Sequence, residues 1–374
     1  MERVVYIFKK PVFLITTAVL FLLLLVPLLT NVKPSELYSL ITGKNHCYEI
    51  RYSFDIGSGA TKTRKNLVDT CEGRLLKNLD EKIEQIKYQQ CINNSKNGTL
   101  DPSCMKMGLD SIRRLQEKYN IDCSGEKCAG IATAWARNAS NTEELIKAFR
   151  EQNIHIRVVS QKEEGEIGFN AARMHTETKY FSPEHMIVWD IGGGSFQLST
   201  GLNNEIYVYK GPYGIDNFGK KLRTHLEKRG MKIDYSNQFL PCVHTKEALK
   251  YAIKLVGKEA AKDELITGRI AAGNTRVFGI GRLLHLGIHK ELGTEEVVTR
   301  KKIKELAYSF CDLDKEAIHK KYPNLPEHFI MSAQINVILA YGIMKGLNLS
   351  EMRVLDSKVA DYVSEQPKYW NHRF

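Results

Sequence analysis

The chain has no Cys-x-x-Cys pair, no His-Glu-x-x-His, and no dense Lys/Arg run interleaved with aromatic residues. The first absence argues against a structural zinc or a thioredoxin-type dithiol. The second removes the zinc-protease site. It leaves His285 and His289, at helical i, i+4 spacing, and His244 near Cys242 as ordinary histidines. The third leaves no nucleic-acid partner to expect, although the formal net charge of +11 favours anionic ligands in general. Long apolar runs are also scarce. There is a single charge-free one, Pro11 to Val32, and the rest, at 43% hydrophobic and 26% charged residues overall, has the make-up of a globular protein.

That one run, "PVFLITTAVLFLLLLVPLLTNV", is 22 residues long. A helix of this length crosses a bilayer core of about 30 Å. Arg3, Lys9 and Lys10 precede it, and positive flanks stay cytoplasmic. Its exit, "PLLTNVKPSELYS", offers no Ala-x-Ala cleavage site, so it reads as an uncleaved anchor within residues 1–35. The expected location is a single pass in the inner or plasma membrane, with the remainder periplasmic or extracellular. Eight cysteines agree with an oxidising compartment, and six of them, Cys47, Cys71, Cys91, Cys104, Cys123 and Cys128, fall early, as if stapling the first part of the domain. Their pairing cannot be read from spacing.

What the chain does have is a repeated glycine element. "YSFDIGSGATKTR" (52–64) is echoed 135 residues later by "IVWDIGGGSFQLS" (187–199). Each runs from apolar residues through Asp-Ile-Gly, a small residue and Gly into a return strand. Around the second copy, "MIVWDI", "SFQLST" and "EIYVYK" read as successive strands with turns at "GGG" and "GLNN". Between the copies, "NTEELIKAFREQN" reads as a capped amphipathic helix and "IHIRVVS" as a strand. "FIMSAQINVILAYGIMKGLN", interrupted by Gln334, Asn336 and Lys345, reads as a core helix rather than a second span. The expected fold is α/β and duplicated, with two glycine hairpins facing each other across a cleft.

Glycine weakens a strand, so three in a row after Asp190 need a reason. A glycine turn presents consecutive backbone N–H groups with no Cβ in the way, a nest suited to anions. Two such turns could grip a phosphate chain from opposite sides. Asp55 and Asp190, at the strand ends, could hold a divalent cation (Mg2+, or Ca2+ or Mn2+) against the phosphate oxygens.

These residues resemble the Ppx/GppA (exopolyphosphatase/guanosine pentaphosphate phosphatase) family of the actin-like ATPase superfamily. "ATAWARNASN" (132–141) is similar to its Ala-Thr-x-x-x-Arg-x-Ala-x-Asn signature, and "VVSQKEEGEIGF" (158–169) to its Ile-Ser-Gly-x-Glu-Glu-Ala segment. The resemblance implies the duplicated, ribonuclease H-like two-domain fold, here with domain I over 46–180 and domain II over 181–374. It implies a phosphoanhydride hydrolase that releases terminal phosphate from polyphosphate or a (p)ppGpp-like nucleotide. Glu164 would be the general base, with Glu163 its neighbouring competitor. Arg137 would contact phosphate, as would the loops Gly57, Ser58, Gly59 and Gly192, Gly193, Gly194, Ser195. Asp55 and Asp190 would hold the metal. A homodimer is a permitted assembly.

Two positions and one motif depart from that family. Gln197 and Gly165 stand where Ppx/GppA proteins carry Glu and Ala, and both are what the ecto-apyrases show. That resemblance implies Gln197 as an orienter of the attacking water and a nucleoside tri- and diphosphatase as the alternative activity. "VFGIGRLLHLG" (277–287) has Arg282 and Leu283 where the family has Gly and Thr. A non-catalytic phosphate sensor or scaffold is the alternative of another class.

Overall fold

A computed structural model describes residues 47–231 and 239–370 of the chain. The expected anchor, Pro11 to Val32, lies outside them. Among the described residues no helix is long and apolar enough to cross a membrane.

The first sheet has the order β3-β2-β1-β4-β5. Its strands are β1 (Tyr48–Ile56), β2 (Ala60–Asp69), β3 (Arg74–Gln85), β4 (Cys128–Ala132) and β5 (His155–Val158). β1, β2 and β3 form an antiparallel meander, and β4 and β5 extend it in parallel from β1. The second sheet repeats the plan. β6 (Met186–Ile191), β7 (Phe196–Leu202) and β8 (Glu205–Gly211) form the meander, and β9 (Arg276–Ile280) and β11 (Glu351–Val354) extend it in parallel. β10 (Val297–Thr299) adds an antiparallel edge. The same connectivity built twice is the duplicated fold that the paired glycine elements led us to expect. The β7–β8 turn falls at Asn203 and Asn204, which adopt φ of 51° and 67°, the left-handed geometry that asparagine tolerates and a two-residue hairpin needs.

The helices that position the cleft are α1 (Tyr88–Asn94), α2 (Ala134–Asn138), α3 (Gln161–Arg173), α4 (Ile215–Lys228), α5 (Glu327–Gly346) and α6 (Val359–Glu365). α5 is the core helix expected from its sequence: Val337, Ile338, Leu339, Ala340 and Ile343 are fully buried in the second domain's cluster. The helix Thr142–Arg150 forms too, but Asn141 does not cap it. Its side chain instead bonds the Leu100 backbone in both directions, at 2.9 Å each, tying two segments together.

All six early cysteines are bridged, as Cys47–Cys71, Cys91–Cys104 and Cys123–Cys128. Cys242 and Cys311, in the second domain, are free thiols. A division near residue 180 separates the strands of the two sheets, but the last helix does not stay with the second. α6 returns to the first sheet, where Arg64 pairs with Asp361 at 2.8 Å and Arg51 donates to the Ser364 carbonyl at 2.9 Å.

Candidate active site

The two Asp-Ile-Gly elements build the same turn. Gly57 N–H donates to the Ala60 carbonyl and Gly192 N–H to the Ser195 carbonyl, each at 2.9 Å. The turns meet. A Cβ placed on Gly193 would stand 2.7 Å from Ser58 Cβ and 2.6 Å from Asp216 Oδ2, and one on Gly194 would stand 2.8 Å from Ala134 Cβ. The close approach that glycine permits here is first of all that of the other half of the molecule. Ser58 Oγ, beside this contact, is buried with no hydrogen-bond partner, as a donor kept for a ligand would be.

Glu164 sits in the first turns of α3, and its residue is 7% exposed. α2 brings Arg137 to it: Nη2 lies 2.8 Å from Glu164 Oε2 and 3.5 Å from Ser195 Oγ, while Nη1 donates to the Val159 carbonyl at 2.9 Å. α2 itself is anchored by Trp135, which stacks on Tyr88 and donates to the Ile56 carbonyl at 2.7 Å. Burial raises the Glu164 carboxyl above the usual carboxylate range, against the pull of Arg137. A general base gains strength as its pKa climbs towards working pH. Glu163 points elsewhere, to Lys368 Nζ at 2.8 Å and Tyr369 Oη at 3.1 Å. Gln197 donates to Ser195 Oγ at 3.1 Å and is 1% exposed, and its Oε1 has no partner.

Asp55 and Asp190 end the first strands of their sheets, close enough to Glu164 to interact electrostatically. Their settings differ. Lys62, across the strand pair from Asp55, places Nζ 2.7 Å from its Oδ2. Burial opposes the Lys62 charge, but Asp55 and then Asp190 hold the ammonium in place and raise its pKa. Burial pushes the Asp190 carboxyl up to about 7, helped by Glu164. Such a carboxylate gains most from a cation, so the donor set fits a divalent ion held at Asp190, with Asp55 shared between that ion and Lys62.

Asp55, Gly57, Ser58, Gly59, Glu164, Asp190, Gly192, Gly193 and Ser195 all line one cleft of about 600 Å³. Arg137, Gly194 and Gln197 stand behind this first layer. Sequence reasoning missed Lys62, although Asp55 to Lys62 is the same seven-residue step as Asp190 to Gln197. It also missed Asp216, whose carboxyl burial pushes up to about 6 against Lys87 and Arg223. The histidines remain ordinary: His285 is buried beside Lys358, and His289 bonds the Thr294 carbonyl at 2.6 Å.

A model of the Ppx/GppA phosphatase family matches residues 67–234. The resemblance drawn from the motifs is thereby borne out. The match takes in the second loop, Arg137, Glu164 and Gln197, and leaves the first loop with Lys62, and Arg282, outside it. Among solved structures, the Ppx/GppA family member from Aquifex aeolicus is 17% identical, with a TM-score of 0.60 over 87% of this chain and 99% of its own. An exopolyphosphatase from Cytophaga hutchinsonii is 14% identical, with a TM-score of 0.61 over 84% of this chain and 96% of its own. These likenesses establish the fold, two sheets of the same plan. Among curated proteins nothing matches.

Gly165 has a packing reason. A Cβ there would drive into Val208 and stand 2.9 Å from Ser199 Oγ, because α3 lies directly on β7 and β8.

Proposed function

We propose that this chain is a metal-dependent phosphoanhydride hydrolase, anchored by Pro11 to Val32 with its catalytic cleft outside the cytoplasm, that releases terminal phosphate from linear polyphosphate. A (p)ppGpp-like nucleotide offers the same terminal group. The observation that carries the reading is the buried Glu164 carboxylate, tied to Arg137 at 2.8 Å, in the cleft between two opposed glycine turns. A terminal phosphate gripped by the N–H groups of both turns and the Ser58 and Ser195 hydroxyls would present its phosphorus to a water beside Glu164. Glu164 takes the water proton as the oxygen attacks, the bridging P–O bond breaks, and orthophosphate and a shortened chain leave. Arg137 and Lys62 offset the charge on the phosphate oxygens, which is the main work of phosphoryl-transfer sites. A divalent cation held by Asp190 with Asp55 would supply further neutralisation when bound.

A second reading, an apyrase-like nucleotidase, draws on the unpartnered Oε1 of Gln197, a free acceptor placed to orient water. The deciding experiment is phosphate release by the detergent-solubilised full chain from polyphosphate, ATP, ADP and guanosine pentaphosphate, with and without magnesium. Release from polyphosphate above the nucleotides supports the main reading. ATP and ADP as the best substrates would replace it with the second. Tight binding without release from any of them would make the chain a sensor.

A further inference from the structure

The altered third glycine motif is left over from the site just described. β6, β9 and β11 are parallel neighbours, so their carboxyl ends face the cleft together, which is where open α/β sheets take ligands. Asp190 is level with Ile280, and the next residues of β9 are Gly281 and Arg282. β11 runs on in step, with Leu355 N–H donating to the Gly279 carbonyl at 2.9 Å, and leads to Ser357. Gly281, at φ 81°, lies so close to Asp190 that any Cβ would enter the carboxylate.

Two polar groups at these strand ends lack partners. Ser357 lines the cleft, is 4% exposed, and its Oγ makes no hydrogen bond. Arg282 also lines it: its guanidinium lies 3.8 Å over the Phe329 ring and its Nη1 is 2.5 Å from Glu291 Oε1, yet its Nε–H is buried without an acceptor. A buried donor without a partner is costly, and two of them in one cleft wall point to an oxygen-rich ligand.

We propose that Arg282 Nε–H and Ser357 O–H form a second oxyanion subsite, which binds a phosphate unit of the substrate chain beyond the one held by the glycine turns. This rests on the phosphate-chain reading above and narrows it. The guanidinium already covers one face of Phe329. The donors left over suit an inorganic phosphate unit, so the subsite favours linear polyphosphate over a nucleotide.

The test uses the full chain in detergent and measures binding of orthophosphate, tripolyphosphate, long-chain polyphosphate and ATP to the parent, Ser357→Ala and Arg282→Met. Ser357→Ala deletes one oxygen that bonds nothing in the protein, so it leaves the fold intact. Long-chain polyphosphate affinity should fall about tenfold in each variant, as expected for a lost hydrogen bond to a charged group. Orthophosphate affinity, read at the glycine turns, should fall much less. In the parent, tripolyphosphate should bind at least as tightly as ATP. The subsite is overturned if Ser357→Ala binds long chains like the parent, if both variants lose orthophosphate equally, or if ATP binds the parent more tightly than tripolyphosphate. A parent that binds no phosphate chain at all overturns the underlying function instead, and the subsite with it.

Discussion

The two glycine turns are near-copies in backbone and differ in charge. Each starts with Asp-Ile-Gly, closes with the same 2.9 Å N–H to carbonyl bond, and carries a cross-strand residue seven places after its aspartate. In the first copy that residue is Lys62, bonded to Asp55 at 2.7 Å. In the second it is Gln197, whose amide turns to Ser195 and leaves Asp190 without a cationic side chain of its own. The first half therefore carries a built-in cation, and the second half has a buried carboxyl pushed up to about 7. The same offset thus holds a cation in one turn and a neutral amide in the other, so the two aspartates meet different electrostatic surroundings.

The largest effect should come from the group between the two halves. Glu164→Gln keeps the size and one acceptor but cannot take a proton, so turnover should fall about 10²–10⁴-fold with phosphate binding retained. Parent-like turnover would show that the cleft base is another residue. Gly193→Val attacks the contact between the halves. Its Cβ alone would stand under 3 Å from both Ser58 and Asp216, so the turns must separate. Phosphate binding should be lost, and retention of orthophosphate affinity would mean that the turns do not act as one clamp.

Lys62→Gln makes the first turn imitate the second. Turnover should fall about 10²-fold, the scale of one lost charge-stabilising group, and less magnesium should be needed to reach saturation, because Asp55 no longer shares its charge with the Lys62 ammonium. No change in either would mean that Lys62 serves Asp55 alone. The second turn should answer to pH. With a folded pKa raised to about 7 against an ordinary 3.8, Asp190 holds a proton in the folded chain that the unfolded chain has released. Its contribution to stability is then full below pH 4 and is lost as pH rises towards 7 and above. The metal-free chain should therefore melt lower at pH 8 than at pH 6, and Asp190→Asn should flatten that fall. Added magnesium should oppose it. An unflattened profile in Asp190→Asn would place the titration elsewhere. The smallest effect belongs to Glu163→Gln, whose carboxylate faces Lys368 and Tyr369 rather than the cleft; its kcat should stay within about threefold of the parent.

The second half was legible almost strand by strand, because its apolar runs alternate with Gly-Gly-Gly and Asn-Asn turns whose chemistry is local. The placement of Glu164, Arg137 and both loops followed from the motifs for the same reason. Lys62 was hidden because a lysine on a return strand looks like ordinary surface until burial and an aspartate partner are known. Gly165 could not be interpreted alone, since a glycine fixed by helix-on-sheet packing is indistinguishable in sequence from one shared with another enzyme family. Asn141, placed like a cap, was claimed by Leu100, 41 residues away in the chain. The return of α6 depended on tertiary pairing of Arg64 with Asp361, which no local pattern announces.

That return has a mechanical consequence. The backbone passes between the two sheets after β5 and again after β11, so the halves are joined by two separate stretches of chain. A single tether would let one half swing freely about the other. Two crossings tie the halves together more closely than one would, and any separation of the glycine turns has to bend both stretches of chain at once.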